Sequence, residues 1–350
     1  MTASPSMLPA TRGGWLLLAL GAACLALLPL FATSYYVELG TTALIAAMLA
    51  LSLQLLVGCT GLVSLGHAAF YGLAAYVVYL MTPEGVGRSM FLTLPAAMLA
   101  AGAVAFLIGA LSLRTHGFFF LMVTLAFGQM VFFVFHDTKI GGGTDGAFLT
   151  RPVIGLFDWQ LPLTRRQRPV ANYYVALALL AAMYGVLAWL LGTLFGRVLA
   201  GIRVNEARMR AIGFDTYRYK LAAFTLAGML AGVAGHSFAM HRGFVNPELI
   251  AWHRSAEALL MILLGGLTSL AGPIVGAIAY TVLGEVAQQV TERKLLVEGL
   301  VILAVVLVFP RGLTSLWVRT PGFTKPDSGG RAAWTEDGGG GSHASGGGHD

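Results

Sequence analysis

Stretches of about 18 to 23 apolar residues, separated by short polar segments, recur through most of this 350-residue chain. A helix of about 20 residues crosses a hydrocarbon layer of ~30 Å, so each stretch is of membrane length. A chain with 57% hydrophobic and only 11% charged residues, against roughly 25% charged in soluble domains, is nearly excluded as a soluble enzyme. The pattern predicts an all-α fold: a polytopic membrane helical bundle.

The runs give ten spans, at 15–33, 37–57, 64–81, 91–113, 118–135, 173–195, 219–240, 256–270, 273–290 and 295–309. The eighth and ninth are joined by Ala271-Gly272-Pro273, where a Gly-Pro step also suits a kink or a re-entrant break, so the count ranges from eight to ten. The first run exceeds the about 7–15 residues of a signal-peptide apolar region and has no clear A-x-A site, which predicts a retained helix. The chain thus divides into an amino-terminal segment 1–14, a membrane domain 15–310 and a Gly-rich tail 311–350 that cannot bury enough apolar area to fold. His343 and His349 on that tail are expected to be solvated rather than metal ligands, and Cys24 and Cys59, both in apolar runs, to be small core residues.

Sidedness follows from one loop. Between residues 197 and 220 lie Arg197, Arg203, Arg208, Arg210, Arg218 and Lys220 against Glu206 and Asp215, and such short basic loops stay in the cytoplasm. Counting outward puts Arg114, Arg12 and the tail from Arg311 on the same side, with both termini cytoplasmic. The segment 137–172 then lies outside despite Lys139, Arg151, Arg165, Arg166 and Arg168, an exception that a longer loop tolerates.

Forty-five glycines are about 13% of the chain, nearly twice the usual ~7%, and many fall inside spans. Small residues let helix backbones approach closely in lipid; Gly228…Gly232 and Gly272…Gly276 have that spacing. Polar groups at membrane depth are Gln54, Gln129, His67, His236, Glu257 and Glu285. Such groups are candidates for function, although an interhelical hydrogen bond is the simpler reading of His67. No phosphate-binding loop is present, because none of Lys139, Lys220, Lys294 and Lys325 follows a glycine. G-x-S-x-G, H-E-x-x-H and C-x-x-C are absent too, so nothing suggests hydrolase or metal chemistry. Gly141-Gly-Gly-Thr-Asp-Gly146 reads as a turn, with anion binding by its N–H groups as the alternative.

The basic loop has helical spacing in its middle. Ile202, Glu206, Met209 and Gly213 share one face, and Arg203 and Arg210 another. That predicts a short cytoplasmic helix which either lies on anionic lipid headgroups or docks on a cytoplasmic partner.

Three blocks carry a family resemblance. They are 61–76 (GLVSLGHAAFYGLAAY), 117–129 (GFFFLMVTLAFGQ) with the downstream GGTDG at 142–146, and the basic loop with Ala211-Ile-Gly213 and Lys220, continued by 263–276 (LLGGLTSLAGPIVG). Together they resemble the permease subunits of branched-chain amino acid ABC importers, over residues 35 to about 313. The resemblance implies a bacterial inner-membrane transport subunit that is not itself an enzyme. It binds no cofactor, and ATP is hydrolysed on partner subunits. The implied partners are two cytoplasmic ABC ATPases, a homologous second permease, an external solute-binding protein and membrane lipid, with no nucleic acid. The basic loop is then the coupling helix, with Arg203, Glu206, Arg210 and Gly213 coupling it to the ATPase. The loop departs from the general E-A-A-x-x-x-G pattern in having Arg208 for the second Ala and Gly213 one residue late. The solute is expected to be leucine, isoleucine or valine, with His67, Phe70, Thr124 and Gln129 lining an apolar path; permeases of the same family for urea, short amides or aromatic acids stay open. An ion-coupled carrier working alone, with His67, Glu257 or Glu285 as proton relay, is a separate alternative, and a structural membrane scaffold a further one.

Overall fold

The computed structural model describes residues 12–82, 87–153, 155–156, 159–160, 167–290, 293–308 and 312–316. Residues 1–11 and the tail from 317, with Lys325, His343 and His349, lie outside the described residues, as do Arg165 and Arg166. Twelve helices are found among the described residues: α1 (Arg12–Phe31), α2 (Ser34–Thr60), α3 (His67–Met81), α4 (Met90–Ser112), α5 (Phe118–Asp137), α6 (Arg168–Gly192), α7 (Leu194–Val204), α8 (Glu206–Ala211), α9 (Thr216–Arg242), α10 (Trp252–Gly265), α11 (Gly272–Val290) and α12 (Lys294–Val308). Ten of them match the ten expected spans, and α7 and α8 occupy the basic loop. Four two-residue strands and three short 3-10 helices are also found among the described residues. Of these, β1 (Ala147–Phe148) pairs antiparallel with β4 (Phe244–Val245), and β2 (Gly155–Leu156) with β3 (Trp159–Gln160). The protein is an all-α membrane bundle.

Among the described residues, α2, α4, α5, α6 and α9 are long and apolar enough to cross a membrane. Helices α3 and α10 have 15 and 14 residues, or about 22 and 21 Å at 1.5 Å per residue. Each therefore completes a crossing only together with the non-helical segment before it. The Gly-Pro step is the start of α11 and not a kink: α10 ends where Gly266 takes φ 117°, and Pro273 sits in the first turn of α11, where a missing N–H leaves no gap.

Helix α9 forms the centre and packs on α4, α3 and α2. Glycines make this approach possible. Gly228 faces Ala105, Gly232 faces Ala101 and the Ala97 carbonyl, and a Cβ added at Gly235 would stand 2.0 Å from the Tyr71 carbonyl oxygen. The same device joins α10 to α11, where Cβ atoms at Gly265 and Gly276 would meet the carbonyls of Gly272 and Met261 at 1.8 Å. Both small-residue steps thus serve helix packing.

The run α2–α5 is repeated, inverted, as α9–α12. Helix α4 packs on α9 as α11 packs on α2; α3 packs on α4 and α9 as α10 packs on α11 and α2; α2 touches α9, and α3 touches α10. Each half opens with a 27-residue helix ending at a left-handed glycine, Gly61 (φ 74°) or Gly243 (φ 66°). The halves run in opposite directions, because α2 ends and α9 begins at the face carrying α7 and α8. There Arg203 Nη1 donates to the Gly58 carbonyl, and Lys220 meets Glu206. At the opposite face β1 pairs with β4, and Arg151 Nη2 donates to the Arg242 carbonyl at 3.2 Å.

The two broken elements meet at mid-depth. The Ala68 N–H at the start of α3 donates to Ser255 Oγ of α10 at 2.8 Å. One turn on, Phe70 and Tyr71 pack against Gly228 and Gly235, in the middle and final third of α9.

A substitution of Gly235 by Val places a side chain in the Tyr71 carbonyl and is expected to destabilise the bundle by roughly 1–3 kcal/mol or more. Gly185→Ala on α6, with nothing within 4 Å of the added Cβ, serves as the control. Thermal unfolding in detergent is expected to separate the two, with only the Gly235 variant shifted.

Candidate functional site: the basic knob and the mid-membrane polar groups

Helix α7 buries Gly196, Val198, Leu199 and Ile202 against α2 and α6, leaving Arg197, Arg203 and Val204 outward. The single helix expected across the loop is in fact two. Asn205 is extended (φ −159°, ψ 98°) and its side chain accepts from the Arg208 N–H at 2.9 Å. Asn is favoured at a helix N-cap because its short side chain replaces the missing helical acceptor, so the chain restarts there as α8. The new helix folds back, and the Met209 thioether lies over Gly201.

Of the residues expected on one face, Ile202 is buried and Glu206 and Met209 are half-buried. Gly213 stands apart, exposed in the turn after α8 at φ 95°. Arg203 and Arg210 are exposed as expected. Glu206, the first residue of α8, turns inward. It accepts from Thr216 Oγ1 at 3.0 Å and forms an ion pair of 2.5 Å with Lys220, which is buried at 8% exposure. Partial burial pushes the Glu206 carboxyl up, but the Lys220 hydrogen bond and charge, the Thr216 bond and the Arg210 charge together outweigh it. Its pKa is lowered from 4.5.

This pair ties α8 to α9, the central helix. A second tie, Arg203 to the Gly58 carbonyl, holds α7 to the end of α2. Between α8, α9 and the α4–α5 turn lies an open cavity of about 270 Å³, lined by Leu113, His116, Glu206, Arg210 and Phe214 among others. The outer surface presents Arg208, Arg210 and Arg218 around the apolar Val204 (82% exposed) and Ile212 (63%). The result is a basic knob with apolar tips, fixed at its base to the opening helices of both repeats, α2 and α9. Lys220 belongs to the loop's charge pattern; its role as the anchor of Glu206 depends on a fold that brings together residues fourteen positions apart.

The path candidates sit deeper. His67 is fully buried at the start of α3; its Nε2 shares a hydrogen bond of 2.8 Å with Ser52 Oγ on α2, the interhelical bond expected of it. Phe70 is 1% exposed and stands edge-on to Phe224, with ring centroids 5.6 Å apart. Thr124 Oγ1 donates to the Leu121 carbonyl at 2.9 Å, and its own carbonyl presses on Gly66, where a Cβ would approach to 2.1 Å. Gln129 is half-buried on the same helix. His67, Phe70 and Thr124 therefore converge on the joint where the 61–66 segment becomes α3, closed to solvent in this conformation.

The remaining polar groups are paired. Gln54 Nε2 donates to the Leu267 carbonyl at 2.9 Å, and His236 Nε2 lies 2.9 Å from Thr93 Oγ1. Glu285 accepts from the Tyr35 hydroxyl. Glu257 accepts from Arg254 Nη1 at 2.9 Å, a partner that sequence reasoning missed because the span was expected to start at residue 256. The segment 140–145 is a 3-10 turn with Gly141, Gly142 and Gly143 at positive φ, and Gly141 seats against the Tyr76 ring.

A buried joint between inverted repeats, with a rigid basic knob at one face, is the form of a transport subunit. Residues 35–309 match the family model of the branched-chain amino acid transport system permease component, and the chain belongs to that family. It is similar to the high-affinity branched-chain amino acid transport system permease protein LivM of Escherichia coli K12, with 32% identity over 297 residues, covering 79% of this chain and 69% of that protein. The corresponding protein of Salmonella typhimurium is 31% identical over the same shares. A shorter similarity, 39% over 100 residues and 28% of each chain, links it to the autoinducer 2 import system permease protein LsrC of Klebsiella pneumoniae. No solved structure matches.

The lowered Glu206 value fixes a pH signature. A depressed carboxylate contributes stability above its ordinary value of 4.5 that is lost as pH falls through the lower folded value. The tether is expected to hold from neutral pH down to 4.5 and to release only below it. Limited proteolysis of the 205–215 turn across pH is expected to show that acid transition in the parent protein, whereas Glu206→Gln cleaves faster at neutral pH and shows no such transition.

Proposed function

We propose that the chain is the translocating membrane subunit of an ATP-driven importer of branched-chain amino acids, delivered by an external binding protein. It works with a second homologous permease and two cytoplasmic ABC ATPases, which hydrolyse the ATP. The observation that carries the reading is the knob formed by α7 and α8. Its exposed arginines and apolar tips suit a partner surface, while its base is locked by Arg203 to α2 and by Glu206 to α9. Force applied to a knob so anchored reaches both repeats at once.

In this reading the basic face is cytoplasmic, together with both termini. Arg210 contacts the ATPase directly, Gly213 allows the turn that presents α8, and Arg203 and Glu206 transmit the movement. Rocking of one repeat against the other opens the joint at His67, Phe70 and Thr124, with Gln129 on the exposed α5 beside it. Apolar and aromatic walls suit branched side chains, and discrimination among side chains rests with the binding protein.

Co-purification of the tagged chain from its own operon, followed by ATP hydrolysis with and without leucine-loaded binding protein, tests this. A complex whose hydrolysis rises with one loaded solute is expected; a lone chain that transports without an ATPase would overturn it. The double variant Glu206→Ala/Arg210→Ala is expected to insert normally but to hydrolyse ATP without uptake, whereas normal uptake would remove the coupling role.

A further inference from the structure

The ion pair Arg254–Glu257 on α10 lies where an ion pair has no structural need to be. Ser255, between the two, accepts from Ala68, two residues before Phe70, which packs at Gly228 in the middle of α9, so both charges stand level with the middle of the bundle. They are not sealed in: the side chains are 40% and 25% exposed on this subunit. A lipid-facing ion pair at that depth is strongly disfavoured, because intramembrane charges face a partner or a watered cavity. A watered cavity is the surrounding that such a pair requires.

The pair is also incomplete. Glu257 engages Nη1 of the guanidinium, while Arg254 Nε is buried without a hydrogen-bond partner among the described residues. Arginine binds carboxylates through two parallel N–H groups, so the resting pair leaves donor capacity unused. Around it stand Tyr71 of α3, within electrostatic reach of Arg254 and Glu257, and Tyr280 of α11, which hydrogen-bonds the buried Glu298 of α12.

We propose that Arg254 and Glu257 form a transit subsite for the two charges of an α-amino acid, Arg254 taking the carboxylate and Glu257 the ammonium. Entry of a zwitterion replaces one ion pair by two and leaves the net charge of the site unchanged. A simple anion or cation would leave one charge uncompensated in a medium of low dielectric. The subsite therefore selects amino acids over organic acids, amines and uncharged amides. This rests on the importer reading and sharpens it, since that reading leaves the path without a charge-recognising element.

The test uses the assembled importer in lipid nanodiscs. In a Cys24→Ser/Cys59→Ser background, Glu257→Cys is expected to react with a charged, membrane-impermeant methanethiosulfonate. No reaction in any nucleotide state would place the site in lipid and overturn the proposal. In the same background, Ala256→Cys keeps both charges, and its labelling is expected to be slowed by millimolar leucine but not by 2-hydroxy-4-methylpentanoate or isoamylamine; equal protection by all three, or none, overturns the zwitterion assignment. In proteoliposomes, Arg254→Gln and Glu257→Gln are each expected to cut leucine uptake about ten- to hundredfold, as loss of a charged hydrogen bond does, with assembly and stimulated ATP hydrolysis kept. Parallel loss of assembly, hydrolysis and uptake would make the pair merely structural. If no ATPase associates, the importer reading falls by itself, and the labelling and protection of the isolated chain still decide the subsite.

Discussion

A backbone break inside a membrane has to be sheltered by protein, since lipid offers no partner for a free N–H or carbonyl. Two such breaks, at 61–66 before α3 and at 243–251 before α10, organise this molecule. Each is enclosed by close helix approach: Gly66 lies against the Thr124 backbone of α5, and Gly72 of α3 lies against Leu249 and Ile250. The two helices that follow are joined by the Ala68–Ser255 hydrogen bond. The long helices α2 and α9 flank this joint, and the small residues along α9 are what allow it to fit.

The same joint is where the two inverted halves come together. Two inverted halves of similar packing meet through close helix contacts, α9 against α2, α3 and α4 and α11 against α2, with the Ala68–Ser255 hydrogen bond joining the two broken elements. Inverted halves of similar packing are the architecture on which alternating-access carriers are built. The knob of α7 and α8 is tied to both halves. Its ties at Gly58 and Lys220 end on α2 and α9, the first helix of each half.

Much of this was legible in the sequence. Lipid demands about 20 apolar residues per crossing, so the ten runs appear as ten helices with small shifts at their ends. The glycine steps at 228–232 and 272–276 declared close packing for the same reason. The inverted repeat was not legible, because the halves share packing more than residues: α3 begins at GHAAFYG and α10 at AWHRSAE. The split of the basic loop at Asn205 was hidden as well. Helical spacing continues across the break, and only the backbone reveals that Asn205 caps a second helix.

The chain's residues by themselves determined the solvent it lives in, the positions of its apolar helices and its basic face, because these follow from apolar length and from charge counted along the chain, while its three motif blocks carried the family resemblance. Only the tertiary structure decided which polar groups matter together. Glu206 and Lys220 are fourteen residues apart, Ala68 and Ser255 are 187 apart, and Arg254 finds its significance from the depth at which α10 begins. A hydrogen bond or an ion pair depends on distance in space, and in a bundle of crossing helices that distance is set by packing.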